Sequence, residues 1–250
     1  MQLIRHTIQS FNKVSLADLD KVKLMNRTDQ KFCIHLSQMP AVLKALETEY
    51  SILEIDGESI FNYDNIYFDT PDNLLYLHHH NGKLNRFKIR IRSYVQSDLN
   101  FLEIKLKNNK GRTIKKRMIR KDFDSEFTTD ELNFIGSTTP FSGELLVPKI
   151  KSYFQRITLV NQGFTERVTL DFKPGFLNGQ NQITMNNLVI IEVKQDKASD
   201  IAAIIKILRK HKIINQGISK YCIGRSLIDE NIKKNNFKPI LLKIRKEYFN

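Results

Sequence analysis

The run Arg86-Phe87-Lys88-Ile89-Arg90-Ile91-Arg92 alternates a cation with an apolar residue at every step. Read as a β-strand, it sends Arg86, Lys88, Arg90 and Arg92 to one face and Phe87, Ile89 and Ile91 to the other. A wall of cations binds anions, but a solvated basic surface explains a single such strand more simply, because long cationic side chains are cheapest in water. Repetition shifts the balance. Phe101 to Lys107 places Glu103, Lys105 and Lys107 on one face, and after the hairpin signal Asn108 to Gly111 the next strand places Thr113, Lys115 and Arg117 together. Asn26 to Ile34 groups Arg27, Asp29, Lys31 and Cys33, and Ile150 to Val160 sets Arg156 beside Phe154 and Thr158. Glu166 to Phe172 sets Arg167, Thr169 and Asp171 against Val168, Leu170 and Phe172, while Leu188 to Lys194 sets Glu192 and Lys194 against Val189, Ile191 and Val193.

Charged faces that converge in this way imply a closed antiparallel β-barrel with helices packed on its outside, an α+β fold. Unpaired buried cations are too costly for a purely structural interior, so such a lumen has to hold anions and water. Glu103 and Glu192 then have a separate task. Hard carboxylate oxygens among phosphates suit a divalent cation, Mn²⁺ or Mg²⁺. The run His78-His79-His80 is read instead as a polar turn before Gly82, since three adjacent histidines on a strand cannot face one ion.

The elements between the strands have scaffold patterns. Leu16, Leu19 and Val22 recur at helical spacing behind Ser15, giving a short helix from Ser15 to Leu24 that covers the entry to the fold. Ser37 opens a helix carried by Met39, Val42, Leu43 and Leu46, and Ser199 or Asp200 caps another with the stripe Ile201, Ile204, Ile205 and Leu208. Asp69, before Thr70 and Pro71, is read as a turn former. Beyond Glu230 the chain is rich in Lys and Asn, with Ile240, Leu241, Ile244 and Tyr248 among cations; such a tail either packs on its own domain or lies on a membrane surface or partner.

Composition sets the outer limits. The 250 residues predict one domain, with a core from about 26 to 227, a helical cover over 1–25 and a basic tail over 228–250. With 40 Lys and Arg against 27 Asp and Glu the net charge is +13, which calls for a polyanionic partner. The N-terminus lacks an apolar signal region and no apolar run approaches a bilayer span, so a cytoplasmic location is expected. Cys33 and Cys222 lie far apart and read as buried small hydrophobes.

In order along the chain, Arg27-x-x-x-Lys31-Phe32, Tyr67-Phe68-Asp69-Thr70, Arg86 to Arg92, Glu103-Ile104-Lys105, Lys115-x-Arg117, Arg156, Glu192-Val193-Lys194 and Ser219-Lys220-Tyr221 resemble the VTC domain, the polyphosphate polymerase branch of the triphosphate tunnel metalloenzymes. The likeness spans roughly residues 26 to 227 and rests on several motifs in order. The Glu-x-Glu-x-Lys signature of the related CYTH triphosphatases is replaced here by Arg27, Asp29 and Lys31. The resemblance implies a tunnel in which Lys31, Arg90, Arg92, Lys105, Lys115, Arg156 and Lys220 bind the phosphates of ATP and of a growing chain. Arg27, Lys88, Arg117, Lys194 and Ser219 join them as phosphate contacts. Glu192 is the implied principal metal ligand, with Glu103 as a second, for Mn²⁺ or Mg²⁺.

The implied reaction is attack by a terminal oxygen of inorganic phosphate or polyphosphate on the γ-phosphorus of ATP, which demands alignment and charge neutralisation and no covalent nucleophile. The same tunnel passing the phosphoryl group to water is a metal-dependent triphosphatase. From another class, a non-catalytic polyanion-binding module fits the charge. No nucleic acid is expected, because Phe87, Ile89 and Ile91 alternate away from the cations, where base stacking cannot use them. Export of the product would call for a membrane-associated partner that these residues do not reveal.

Overall fold

The computed structural model describes residues 1–22 and 27–249. Among them, β-branched and aromatic runs make eleven strands of one sheet. These are β1 (Lys13–Val14), β2 (Arg27–His35), β3 (Tyr50–Leu53), β4 (Phe61–Asp69), β5 (Arg86–Tyr94), β6 (Leu99–Lys107), β7 (Thr113–Arg120), β8 (Val147–Asn161), β9 (Glu166–Asn178), β10 (Asn181–Thr184) and β11 (Leu188–Asp196). The main path is β2-β11-β9-β8-β4-β5-β6-β7, antiparallel at every step. Strands therefore run alternately towards and away from one end, the end marked by Asp69, Arg86, Lys107 and Thr113.

The sheet curls strongly. Lys105 on β6 feels the charges of Glu192 and Lys194 on β11, which lies five strands away along the path. Where a closed barrel was expected, no ladder joins β2 to β7 among the described residues. Both edges carry cations on the inner face, Lys31 on one and Lys115 and Arg117 on the other, and like charges oppose pairing. β7 is an exposed edge strand.

Eight helices accompany the sheet among the described residues: α1 (Gln2–Gln9), α2 (Leu16–Leu19), α3 (Met39–Leu46), α4 (Leu74–His80), α5 (Thr129–Thr138), α6 (Ala203–Lys210), α7 (Lys220–Ile228) and α8 (Lys238–Tyr248). The stripes of α1, α3 and α6 cover the outer face of β2, β8, β9 and β11 through Ile4, Val42, Leu43 and Ile205, and α5 covers that of β4–β6 through Ile135. Helices are not confined to the outside. The inner face turns apolar at the Arg86 end of β2, β4 and β11, where Cys33, Tyr67 and Ile190 meet Tyr221 and Cys222 of α7 and Leu241, Ile244 and Tyr248 of α8. That burial decides the fate of the basic tail, which packs on its own chain. Both cysteines are buried and free.

Several local expectations change. His78, His79 and His80 end α4 and do not form a polar turn, because the Asp69 carboxylate accepts hydrogen bonds from Leu75 N at 2.8 Å and Tyr76 N at 2.9 Å and so nucleates the helix. Asp69 thus does serve the local backbone. Neither Ser199 nor Asp200 caps α6; the Gln195 carboxamide oxygen takes Ala202 N at 3.4 Å. The helix expected from Ser15 to Leu24 ends at Leu19, and the expected strand start at Asn26 lies outside the described residues.

Candidate active site on the inner wall of the curled sheet

Period-two alternation puts Lys31, Arg90, Arg92, Glu103, Lys105, Lys115, Arg156, Asp171 and Glu192 on the concave face. Cross-strand register then sorts them. Arg90 lies opposite Glu103, Lys105 is flanked by Lys88 and Lys115, and Arg156 lies opposite Asp171. Lys31 and Glu192 are likewise direct partners.

Three carboxylates anchor the cations in pairs. The Glu103 Oε2 accepts from Arg90 Nε at 2.9 Å and Nη2 at 2.6 Å, and Glu103 also pairs with Lys115. Asp171 accepts from Arg156 Nη2 at 2.7 Å and pairs with Lys220 on α7. Glu192 pairs with Lys31 at 2.8 Å and with Lys194 at 3.6 Å. Burial works against each negative charge, yet the cations win. Arg90, Arg92 and Lys115 hold Glu103 below the ordinary carboxylate range, Arg156 and Lys220 hold Asp171 at about 2, and Lys194, Lys31 and Lys105 hold Glu192 well below it.

Arg92, Lys88 and Lys105 differ, since no ion pair is found for them among the described residues. Arg92 donates to Asn65 Oδ1 at 2.9 Å, and Lys88 donates to Ser219 Oγ at 3.0 Å. Burial depresses the proton affinity of both, and Arg90 together with burial depresses that of Lys105 strongly. Cations crowded into a desolvated wall without a direct ion-pair partner favour an incoming anion. Lys88 therefore belongs to the interior and not to the rim, whereas Arg86 does lie at the rim and donates to the Lys83 carbonyl at 2.9 Å.

The remaining site residues spread outward. Arg117 sits on β7 with its guanidinium 4.7 Å from the Phe101 ring centre, and Arg27 pairs with Asp29 at 3.1 Å at the far end of β2. Ser219 is the N-cap of α7, its hydroxyl accepting from Cys222 N at 3.4 Å, so one oxygen serves the helix and Lys88 together. Aromatic faces support the cations: Arg156 lies 4.8 Å from the Tyr63 ring centre and Lys220 4.4 Å from that of Phe154.

Sequence reasoning placed Asp171 on one strand face with Arg167 and Thr169 but missed it as a wall anchor. Arg167 donates to the Leu19 carbonyl at 2.6 Å. The polar face of β9 was visible, but its register against β8 was not. Asn65 and Tyr67 were also missed; the Tyr67 hydroxyl takes Arg90 Nη1 at 3.2 Å.

Glu103 and Glu192 differ in what they can offer a metal. The Glu103 side chain is fully buried beneath two cations, whereas that of Glu192 is 20% exposed. Among the described residues no three His, Cys, Asp or Glu side chains gather as a cage. One accessible carboxylate beside a wall of cations fits a hard divalent ion whose shell is completed by further anionic oxygens and water, the usual habit of Mg²⁺.

Several solved structures match at low identity. A protein from Hippeastrum, provisionally named an adenylyl cyclase and described as having a dominant triphosphatase activity, matches at 14% identity and a TM-score of 0.49, covering 80% of this chain and 97% of its own. A provisionally named adenylate cyclase from Bacillus halodurans matches at 14% identity and 0.48, covering 78% of this chain and 96% of its own. Another so named, from Vibrio parahaemolyticus, matches at 11% identity and 0.46, covering 78% and 94%. A search of curated proteins finds no match. The model of the VTC domain matches residues 26–228, the whole of the sheet from β2 and the helix that closes on its inner wall. By that match the chain belongs to the VTC domain family.

Proposed function

We propose that the protein is an ATP-dependent polyphosphate polymerase whose concave wall binds the triphosphate and the acceptor chain. The observation that carries this reading is the division of the wall into three carboxylate-anchored cation groups and a set, Lys88, Arg92 and Lys105, with no ion pair among the described residues. The anchored cations are held in place before any ligand arrives, and the others lack the direct ion-pair partner that phosphate oxygens would supply. Arg90, Arg156, Lys31, Lys115 and Lys220 then shape the path, while Arg92, Lys88 and Lys105 take the ligand charge. Glu103 serves as an anchor of the wall.

Donors fixed in advance lower the barrier to phosphoryl transfer because charge spread over the transferring group meets dipoles that need no reorganisation. Arg92, oriented by Asn65, and Lys105 face the position where that charge develops. Ser219 holds Lys88 towards the same space. With anion present, bridging between Lys31 on β2 and Lys115 on β7 completes a tunnel across the open edge. A divalent ion at Glu192, when bound, neutralises phosphate charge and aligns the chain. The supply of ATP sets this reaction in the cytoplasm; no helix among the described residues is long and apolar enough to cross a membrane.

The test follows ADP, free phosphate and long polyphosphate together, from ATP and Mn²⁺ with and without a short polyphosphate primer. ADP matched by chain growth is the expected result. ADP matched by free phosphate makes the protein a triphosphatase, and neither product leaves a polyanion-binding module. Glu192→Gln is expected to abolish metal-dependent turnover while the circular dichroism stays native; wild-type rates in Mn²⁺ or Mg²⁺ would remove Glu192 from the metal site.

A further inference from the structure

The two ends of the concave wall carry different fields. At the Arg27 end, cations meet carboxylates: Arg27 pairs with Asp29, and Arg167 feels the charge of Asp20. At the other end the contrast is large. Seven of the thirteen residues from Lys105 to Arg117 are Lys or Arg, and none is Asp or Glu. Most of them stand on the hairpin of β6 and β7, where Lys107, Lys110, Arg112, Lys116 and Arg117 are exposed.

This hairpin continues the inner wall. Lys88, Lys105 and Lys115 lie side by side across β5, β6 and β7, and two residues further along the same face Arg86 lies beside Lys107. Successive residues on one face of a strand are about 7 Å apart. Beyond them the turn at Asn108 to Gly111 carries Lys110 and Arg112 into solvent. At this end the neighbouring β2, β4 and β11 are shut by α7 and α8 through Cys33, Tyr67 and Ile190, so the β5–β7 side is the polar side.

We infer that the β6–β7 hairpin is a docking track for a long polyphosphate chain, carrying the part of the polymer that outgrows the concave wall and setting the end from which it emerges. The inference rests on the proposed polymerase reading. Its physical basis is charge complementarity along one continuous row: an anionic chain meets Asp29 beside Arg27 at one end and, along the hairpin from Lys105 to Arg117, cations with no carboxylate among them. Each contact releases condensed counterions, so binding gains with every phosphate that reaches the track. A chain of three phosphates is too short to use it.

The test measures affinities of the full chain for tripolyphosphate and for polyphosphate of about 100 phosphates over a salt series. Wild-type protein is expected to bind the long chain more tightly per molecule and with the steeper salt dependence. Lys110→Ala with Arg112→Ala is expected to weaken long-chain binding about tenfold and to reduce the slope of log affinity against log salt by about two, one for each lost contact. Tripolyphosphate affinity is expected to stay within twofold. A control pair on the end of α6, Arg209→Ala with Lys210→Ala, removes the same net charge and is expected to leave long-chain binding within twofold. Equal loss in the control, or unchanged long-chain affinity in the hairpin variant, overturns the track. Hairpin-dependent binding to phosphatidylglycerol vesicles without hairpin-dependent polyphosphate binding overturns it in favour of a membrane contact. If wild-type protein binds neither polyphosphate, the polymerase reading itself fails; if it binds both but makes no chain from ATP, that reading fails while the track stands on its own data.

Discussion

Arg90 and Arg92 stand two residues apart on one strand face, and their surroundings separate their roles. Arg90 donates twice to a buried carboxylate, whereas Arg92 donates to the Asn65 carboxamide. Arg92→Ala is expected to keep the fold and weaken tripolyphosphate binding by about 1.5–3 kcal/mol, the range for a charge-assisted hydrogen bond, which calorimetry reads directly. Arg90→Ala leaves Glu103 short of its strongest partner and is expected to lower the stability of the protein by about 3–5 kcal/mol in urea unfolding. Equal effects of the two variants on stability would contradict this division. Asp171 gives a second test at this scale. Its folded value of about 2 lies below the ordinary 3.8, so its contribution is present above pH 4 and is lost as pH falls towards 2. The contribution is about 2 kcal/mol. The fall in stability between pH 4.5 and pH 2 is therefore expected to be shallower by that amount in Asp171→Asn, which starts from a lower stability at pH 7 because Arg156 and Lys220 lose their counter-charge.

Among the elements, α7 has the most consequences, because its first residue, its N-cap and its body serve different tasks. Lys220 reaches Asp171, Ser219 caps the helix and receives Lys88, and Tyr221 stacks on Tyr67 with ring centres 5.2 Å apart. Gly224 lets the helix lie against β9, since a Cβ there would run into the Phe176 ring. Gly224→Ala is expected to cost about 1–3 kcal/mol through overpacking and to reduce activity further by shifting Ser219 and Lys220 off the wall. A variant destabilised to that degree with undiminished turnover per folded molecule would show that α7 need not hold its register against the sheet. The strand signals were the legible part of this scaffold: β5, β9 and β11 begin at Arg86, Glu166 and Leu188, and β6 ends at Lys107, as the alternation indicated. The helix that ends in His78 to His80 was not legible, because its start depends on Asp69, whose carboxylate reaches backbone groups six and seven residues ahead.

Across the whole molecule the net charge of +13 opposes compaction around a concave basic wall. An anion that binds only the folded state relieves that repulsion. Tripolyphosphate at one hundred times its dissociation constant is expected to stabilise the protein by about 2.7 kcal/mol and to raise Tm by about 5–10 °C. The shift is expected to shrink in Arg92→Ala at the same ligand concentration, and an equal shift from chloride at matched ionic strength would indicate general screening and no specific site.

Local alternation determined which residues could share a wall, since side-chain direction on a strand depends only on the parity of the residue number along it. That was enough to group Arg90 with Arg92, Lys115 with Arg117 and Glu192 with Lys194, and to separate them from the apolar residues that meet α1, α3, α5 and α6. Tertiary structure alone decided which cations are neutralised. Register between strands distant in sequence sets Arg156 opposite Asp171 and leaves Lys88 beside Lys105 and Lys115, and the inward packing of α7 brings Lys220 to Asp171. Such partners are fixed by long-range packing of faces whose chemistry is already determined, which is why the wall could be read from the chain and its vacant charges could not.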